Sequence, residues 1–344
     1  MKKMIGLLFA LVLVALVFAA CATDDPADSG EAVVDDATVY EMILATGSAE
    51  ETTVSQYCIK FKEYIDEHAD GRVVVSVYPN AQLGSEREII EGLQTGSVTM
   101  HVGTAAAQAN FIPDLAIFDM AFAYKSAEHA REVIADPELL AILNEKYEAA
   151  GIKLMGITDG HFRELSSNIM IETPEDLNGL TLRTMDNKYH IAAWQAMGAN
   201  PTPIPGSEIY VALQQGIVDA QENPLQSIYF DKYYEQQKYV TMTSHIHLTC
   251  PIIINLEFWN SLPADIQQLL NEAAAVAFDW SREFADAGLV ESRELLEEAG
   301  IIFVDLTEEQ RQAFADLAKT TWPLIEENVD PEVYEIYVNL LNAE

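Results

Sequence analysis

The chain has 344 residues, in which 55 Asp and Glu against 19 Lys and Arg leave a formal net charge of −36. Nothing on such a surface neutralises phosphates in bulk, which excludes nucleic acid as a partner, and the same charge repels anionic lipid headgroups. After the first twenty residues no apolar run is long enough to cross a bilayer.

The N-terminus reads MKKMIGLLFALVLVALVFAAC: two lysines, an apolar run from Met4 to Phe18, then Ala19, Ala20 and Cys21. This is the layout of a secretory signal with a small-residue cleavage site. The run is shorter than the roughly 20 residues of a spanning helix, an uncleaved anchor helix being the alternative. The segment resembles a bacterial lipoprotein signal, which implies removal of residues 1–20 and a lipid on Cys21. Residues 21–37 are acidic and poor in large apolar groups, the composition of a flexible tether. The remainder, roughly 320 residues, is enough for two domains of ordinary size.

Residues 39–45 (VYEMILA) read as a strand and 50–68 as an amphipathic helix; VVVSVYP at 73–79 is rich in β-branched residues. Ser85 with Glu88 forms a capping box that opens a helix through Leu93, and a strand at 98–103 follows. This strand-helix alternation predicts a mainly parallel sheet covered by helices on both faces. Helical patterns over 127–150 lead to a strand at 152–158, and the chain changes character around Gly160. A second alternating unit comprises HFRELSSN, a helix start at Thr173-Pro174, LTLRTM, helices over 188–197 and 207–215, and GIVDAQENP; the β-rich run KYVTMTSHIHLTCPIIINLEF then crosses back. From Ala264 to Ala299 no proline interrupts a periodic Ala/Leu/Glu pattern, about 54 Å if continuous. Either this helix breaks near Gly288 or it runs as a spine along both lobes, the reading adopted here. Thr307 with Gln310 caps a closing helix. The expected fold is α/β, with two α/β domains around a hinged cleft: 38–160 plus about 249–288 as domain I, 161–248 plus about 289–344 as domain II.

Catalytic signatures are missing: there is no GxSxG, P-loop, GxGxxG after a strand, or CxxC. No cofactor is implied and no enzymatic activity is expected. His245 and His247 alternate onto one strand face, but spacing supplies no third metal ligand. Cys58, on a helical stripe with Tyr57, Phe61 and Ile65, and Cys250, at the end of a strand-like run, are expected as buried free thiols, although export permits a disulfide. In so acidic a chain the scarce cations carry more information than the carboxylates. Arg163 in HFRELSSN and Arg183 in GLTLRTMDN each sit on a strand of the second unit. A guanidinium there presents a rigid fork that fits a carboxylate bidentately; the alternative is an internal ion pair, for instance to Glu164, Asp176, Asp186 or Asp219. Asn223, in a polar Gln-Glu-Asn trio at the end of an apolar strand, is placed either to bind a ligand, as strand ends in open α/β sheets do, or simply to make a turn.

The stretches HFRELSSN, DLNGLTLRTMDN, GANPTPIPGSEIYVALQQGIVDAQENPL and YPNAQLGSEREIIEGLQTGSV stand in register with one family. From Val39 to its end the chain resembles the DctP-type solute-binding proteins of TRAP (tripartite ATP-independent periplasmic) transporters. The resemblance implies two domains closing on a small organic acid, with Arg183 pairing with its carboxylate, Arg163 as a second contact and Asn223 from the QENP motif. Pocket-wall candidates from the first domain are Ser48, Glu50, Gln82 and Gln108. RTMDN stands where sialic-acid binders of the family have RVPN, so selectivity for that sugar is not implied. The expected function is that of a lipid-anchored extracytoplasmic receptor that hands an organic acid to a TRAP permease; the alternative is a ligand sensor docking on a membrane kinase.

Overall fold

A computed structural model of the protein describes residues 38–343, so the expected signal, the tether and Cys21 lie outside the described residues. The strands are β1 (Tyr40–Ala45), β2 (Val73–Tyr78), β3 (Met100–Val102), β4 (Ile152–Ser167), β5 (Thr181–Thr184), β6 (Asn200–Pro203), β7 (Ala220–Asn223), β8 (Tyr239–Asn255) and β9 (Ile302–Asp305). They form one sheet in the order β2-β1-β3-β8-β4-β7-β5-β6, with β9 on β8.

Each half of the sheet is made of right-length crossover units. β1 pairs in parallel with β2 and β3, and β5 pairs in parallel with β6 and β7, with helices returning the chain between them. Parallel neighbours require such crossovers, which is why strand-helix alternation in the sequence predicts them. Between the halves run β4 and β8, antiparallel to each other. The end of β8 pairs with β3, and the end of β4 pairs with β7.

The change of character expected at Gly160 is therefore not a chain break. β4 passes through it, and the irregularity is absorbed by a register shift between Asp159 and Phe162, with His161 at φ 66°. At roughly 3.3 Å per residue the 16 residues of β4 span about 53 Å. The helix Ala264–Glu298, 35 residues at 1.5 Å each, spans about 52 Å. Helix and crossing strands thus have the same reach, and the helix is the expected continuous spine.

The spine's buried stripe explains why it does not break at Gly288. Ile266, Leu270, Ala273, Ala277, Ser281, Ala285, Gly288, Ser292 and Leu296 recur at steps of three and four, with large residues at the ends and small ones in the middle. The small middle lets the helix settle onto β4, where Ser281 Oγ lies 3.2 Å from Thr158 Oγ1. At Gly288 a Cβ would collide with the amide of Gln226. That glutamine also caps the helix Thr53–His68: its Oε1 accepts from Thr53 N at 3.0 Å and Thr53 Oγ1 at 2.8 Å, whereas the N-cap residue Thr52 makes no side-chain cap bond.

Both capping boxes read from sequence are present, Ser85 with Glu88 and Thr307 with Gln310. The pattern over 127–150 resolves into Ala127–Ile134 and Pro137–Ala149, because Asp136 caps a new helix with Pro137 at its first position. The helix Glu308–Ala318 packs through Phe314 and Ala315 with Trp194 and Leu182, but Ile325, Val329, Val333, Tyr337 and Leu341 pack with Leu115, Leu139 and Leu143. Residues 322–342 thus sit with the first half of the sheet, not with the second half expected from the sequence. Their apolar stripe has no polarity in the sequence that says which half it covers. Cys58 and Cys250 are both free and buried, and burial raises both thiol pKa values above the ordinary range.

Candidate functional site

Arg183 lies on β5, opposite Thr202 of β6 and Gln221 of β7. Its neighbour Leu182 points into the core beside Trp194, so strand alternation turns Arg183 to the other face. The residue is 3% exposed. Its Nε donates to the Ile204 carbonyl at 2.8 Å, which fixes the plane of the guanidinium. Among the described residues its two amino groups have no hydrogen-bond partner, and no carboxylate is within ion-pair distance.

Arg163 meets the other fate. On β4 it is diagonal to Glu222 of β7, which stands opposite Leu165. Its Nε is 2.5 Å from Glu222 Oε2, its Nη2 is 2.9 Å from Oε1, and Nη2 also donates to the Glu222 carbonyl. The internal partner is thus the middle residue of the Gln-Glu-Asn trio, which none of the carboxylates considered from sequence included. His245 completes the buried cluster, its Nε2 3.0 Å from Glu222 Oε2. Burial alone would raise the Glu222 carboxyl, but the adjacent Arg163 charge and the His245 hydrogen bond hold it well below the usual carboxylate range.

Of the two arginines, Glu222 is bonded to Arg163 alone and acts on Arg183 only through space. Burial lowers the Arg183 guanidinium to about 10; Glu222 opposes that shift and the neighbouring Arg163 adds to it. Arg183 stays charged at neutral pH and is short of a counter-ion within the protein.

In front of it is a cavity of about 260 Å³ lined from both halves of the molecule. Arg163, Arg183, Asn223, Ser207, Asp231 and Tyr233 come from the second unit; Ser48, Asn80, Ser85, Glu86 and Thr104 come from the first. Four of the site residues expected from sequence are thus brought together: Arg183, Arg163, Asn223 and Ser48. Asn223 donates through Nδ2 to Gln221 Oε1 at 2.6 Å, leaving its carbonyl oxygen for other partners.

Three expected residues are not in the lining. Glu50 and Gln82 are exposed. Gln108 is 1% exposed and fully engaged: its Nε2 donates to the carbonyls of Gly103 and Pro251, and its Oε1 accepts from Tyr147 at 2.5 Å. A glutamine in a small-residue loop looks the same in sequence whether it faces a ligand or ties the loop down. Of the histidine pair, His245 is bonded by Glu222 and Thr243, whereas His247 meets Thr249 through Nδ1 and its buried Nε2 has no hydrogen-bond partner, with Asp159 Oδ1 3.8 Å away. Among the described residues no group of three His, Cys, Asp or Glu is arranged to hold a metal.

The sequence reading missed Glu86 and Asp231. Glu86 opens the helix Glu86–Thr95, and its carboxylate accepts from Thr104 N at 2.9 Å and Thr104 Oγ1 at 2.7 Å. Asp231 ends the helix Leu225–Phe230, and no donor in the described residues bonds its carboxylate. Burial first, then repulsion from Glu51, pushes its pKa up to about 7 against the pull of Arg183. Among 55 acidic residues neither had a distinguishing signal.

Comparison with known proteins shows the family and the fold. Residues 44–328 match the DctP family model, "Bacterial extracellular solute-binding protein, family 7". The C4-dicarboxylate-binding periplasmic protein of Rhodobacter capsulatus is 34% identical over 274 residues, 78% of this chain and 81% of that protein. A TRAP periplasmic solute-binding protein from Roseobacter denitrificans, solved with bound L-galactonate, is 31% identical with a TM-score of 0.81, covering 89% of this chain and 99% of that one. The periplasmic ectoine-binding protein of a Halomonas elongata TRAP transporter superposes with a TM-score of 0.85 at 27% identity, covering 88% of this chain and all of that one (100%). These matches cover both halves of the sheet and the cavity between them, and the chain belongs to the DctP family of bacterial extracellular solute-binding proteins.

Proposed function

We propose that this protein is an extracytoplasmic receptor that captures a small organic acid by its carboxylate and delivers it to a TRAP permease. One observation carries the reading: Arg183 is a buried guanidinium that lines the cavity, bonded through Nε to the Ile204 carbonyl, with no hydrogen-bond partner for its amino groups among the described residues and no carboxylate of its own. Among the buried charges of a chain with net charge −36, this one is completed by an anion from outside. The bidentate pair strengthens as water leaves, because the local dielectric falls. Arg163 and Asn223 lie beside it, Arg163 tethered by Glu222.

The ligand bridges two lobes in this reading. One comprises residues 38–160 with 249–288 and the last helices; the other comprises 161–248 with the strand and helix that follow the spine. Closure brings Ser48, Glu86 and Thr104 towards Arg183, and the solute stabilises the closed form only by its preference for it. Residues 1–20 act as the export signal, and a lipid on Cys21 holds the receptor at the membrane through the acidic tether. The relatives that bind C4-dicarboxylates, L-galactonate and ectoine set the range of solutes to screen.

The test is a thermal-shift screen of organic acids on the mature protein, followed by titration calorimetry and mass spectrometry of whatever co-purifies. Specific binding raises the melting temperature with ligand concentration. A panel of carboxylates that leaves the melting temperature unmoved, with no acid recovered from the purified protein, would defeat the reading.

A further inference from the structure

Arg183 has one free edge, and only one. Arg163 is bound through Nε and Nη2 to Glu222, so Arg183 is the guanidinium of the lining with no carboxylate bonded to it. The same lining carries two carboxylates from different elements, Glu86 and Asp231. Glu86 is held rigidly, each oxygen accepting one bond from Thr104 and retaining a lone pair for another donor. Asp231 has no donor of its own. Around them are neutral groups that both give and take hydrogen bonds, among them Ser48, Asn80, Ser207 and Tyr233.

A dicarboxylate fits this arrangement badly. Its first carboxylate takes Arg183; its second enters a small cavity beside the Glu86 carboxylate, with Asp231 adding to the repulsion in its ionised form, and like charges at short range repel more strongly as they desolvate. A molecule with one carboxylate and several hydroxyls fits well, since each hydroxyl can donate to Glu86 or Asp231 while accepting from a serine, asparagine or tyrosine. An acid with an ammonium group would satisfy the carboxylates but leave the neutral donors of the lining without acceptors.

Resting on the receptor reading above, we propose that the solute is a polyhydroxylated monocarboxylate, a sugar acid, and that Glu86 and Asp231 are the residues that accept its hydroxyls and reject a second carboxylate. Selectivity then comes from repulsion as much as from attraction. Asp231, pushed up to about 7, is suited to this part because near neutral pH it exchanges between accepting and donating forms.

The experiment is calorimetric titration of the mature wild-type protein and of the Glu86→Gln and Asp231→Asn variants. The probes are five- and six-carbon aldonates and uronates, succinate and malate as dicarboxylates, and 4-aminobutyrate as the ammonium acid. At least one hydroxylated monoacid should bind 30-fold or more tightly than succinate and malate. Each variant should weaken that acid about tenfold and narrow its advantage over succinate. The ratio between classes is the readout, because a merely structural loss lowers all affinities together. Tighter binding of succinate, malate or 4-aminobutyrate than of every hydroxylated acid overturns the proposal while the receptor reading stands. An unchanged class ratio in both variants overturns the roles of Glu86 and Asp231. Failure of every acid to bind removes the receptor reading and this inference with it.

Discussion

Glu222 and Arg163 are joined by two side-chain contacts, 2.5 and 2.9 Å, in a place where the carboxylate is fully buried and the arginine 2% exposed. The pair neutralises the arginine that faces the cavity from β4 and leaves the one on β5 to a ligand. Changing Glu222→Gln strips the counter-charge from a buried guanidinium and should destabilise the protein by about 3–5 kcal/mol. Urea unfolding measures it. Adding Arg163→Met to the same variant should recover part of the loss, because an apolar replacement of both partners leaves no unpaired charge. A cost near zero for the single change would mean that the pair does not exist in solution.

Arg183→Lys keeps a positive charge but replaces a planar fork with a single rotatable point. Affinity for the bound acid should fall roughly 30- to 100-fold, about 2–3 kcal/mol, with the unfolding midpoint of the ligand-free protein little changed. Calorimetry on the two proteins decides it. Equal affinities would place the carboxylate elsewhere in the cavity.

Asp231 gives a pH signature. Its folded pKa, about 7, is above the ordinary value near 3.9, so between those pH values the folded chain holds a proton that the unfolded chain has lost. Stability from this group is therefore lost as pH rises through that window. Asp231→Asn removes the effect: its gain in unfolding free energy, without ligand, should be roughly 2–4 kcal/mol at pH 8 and shrink steadily towards pH 4. A gain independent of pH would show that the carboxylate is better solvated than its surroundings indicate.

Gly288→Ala places a methyl group where the amide of Gln226 lies, at the joint of spine, crossing strands and the helix Thr53–His68. Overpacking there should cost about 1–3 kcal/mol. Trimming the glutamine as well, in Gly288→Ala with Gln226→Ala, should make the two changes non-additive in a double-mutant cycle. Simple additivity would separate the two residues.

The protein and its proposed solute both carry negative charge, so approach is slowed by a field that salt screens beyond about 8 Å at physiological ionic strength. Association in stopped-flow should therefore accelerate several-fold as salt rises from 10 to 300 mM, while dissociation from the short Arg183 contact changes little. A decreasing association rate would indicate a positively charged route to the cavity.

Much of this was legible in the sequence because it rests on local rules. The two capping boxes and the periodic spine follow from spacing and residue type within a few positions. Arg183 was legible for a different reason: a cation on an apolar strand in an acidic chain is rare enough to ask for an explanation. Glu222, Glu86 and Asp231 were not legible, since each is one carboxylate among many and only β4–β7 pairing or a helix end brings it to an arginine. The place of Gln108 was not legible for a related reason. Its partners at Gly103, Tyr147 and Pro251 are distributed over nearly 150 positions of chain, beyond what any local pattern records.

The equal reach of β4, β8 and the helix Ala264–Glu298 has a mechanical consequence. Each is unbroken from one half of the molecule to the other, so no slack linker exists there for the halves to pivot on. Any change of angle has to bend hydrogen-bonded ladders and a helix at once, which makes the joint behave like a leaf spring with a restoring force. The grip on the solute is then set against that elastic return, and release needs only the loss of the grip.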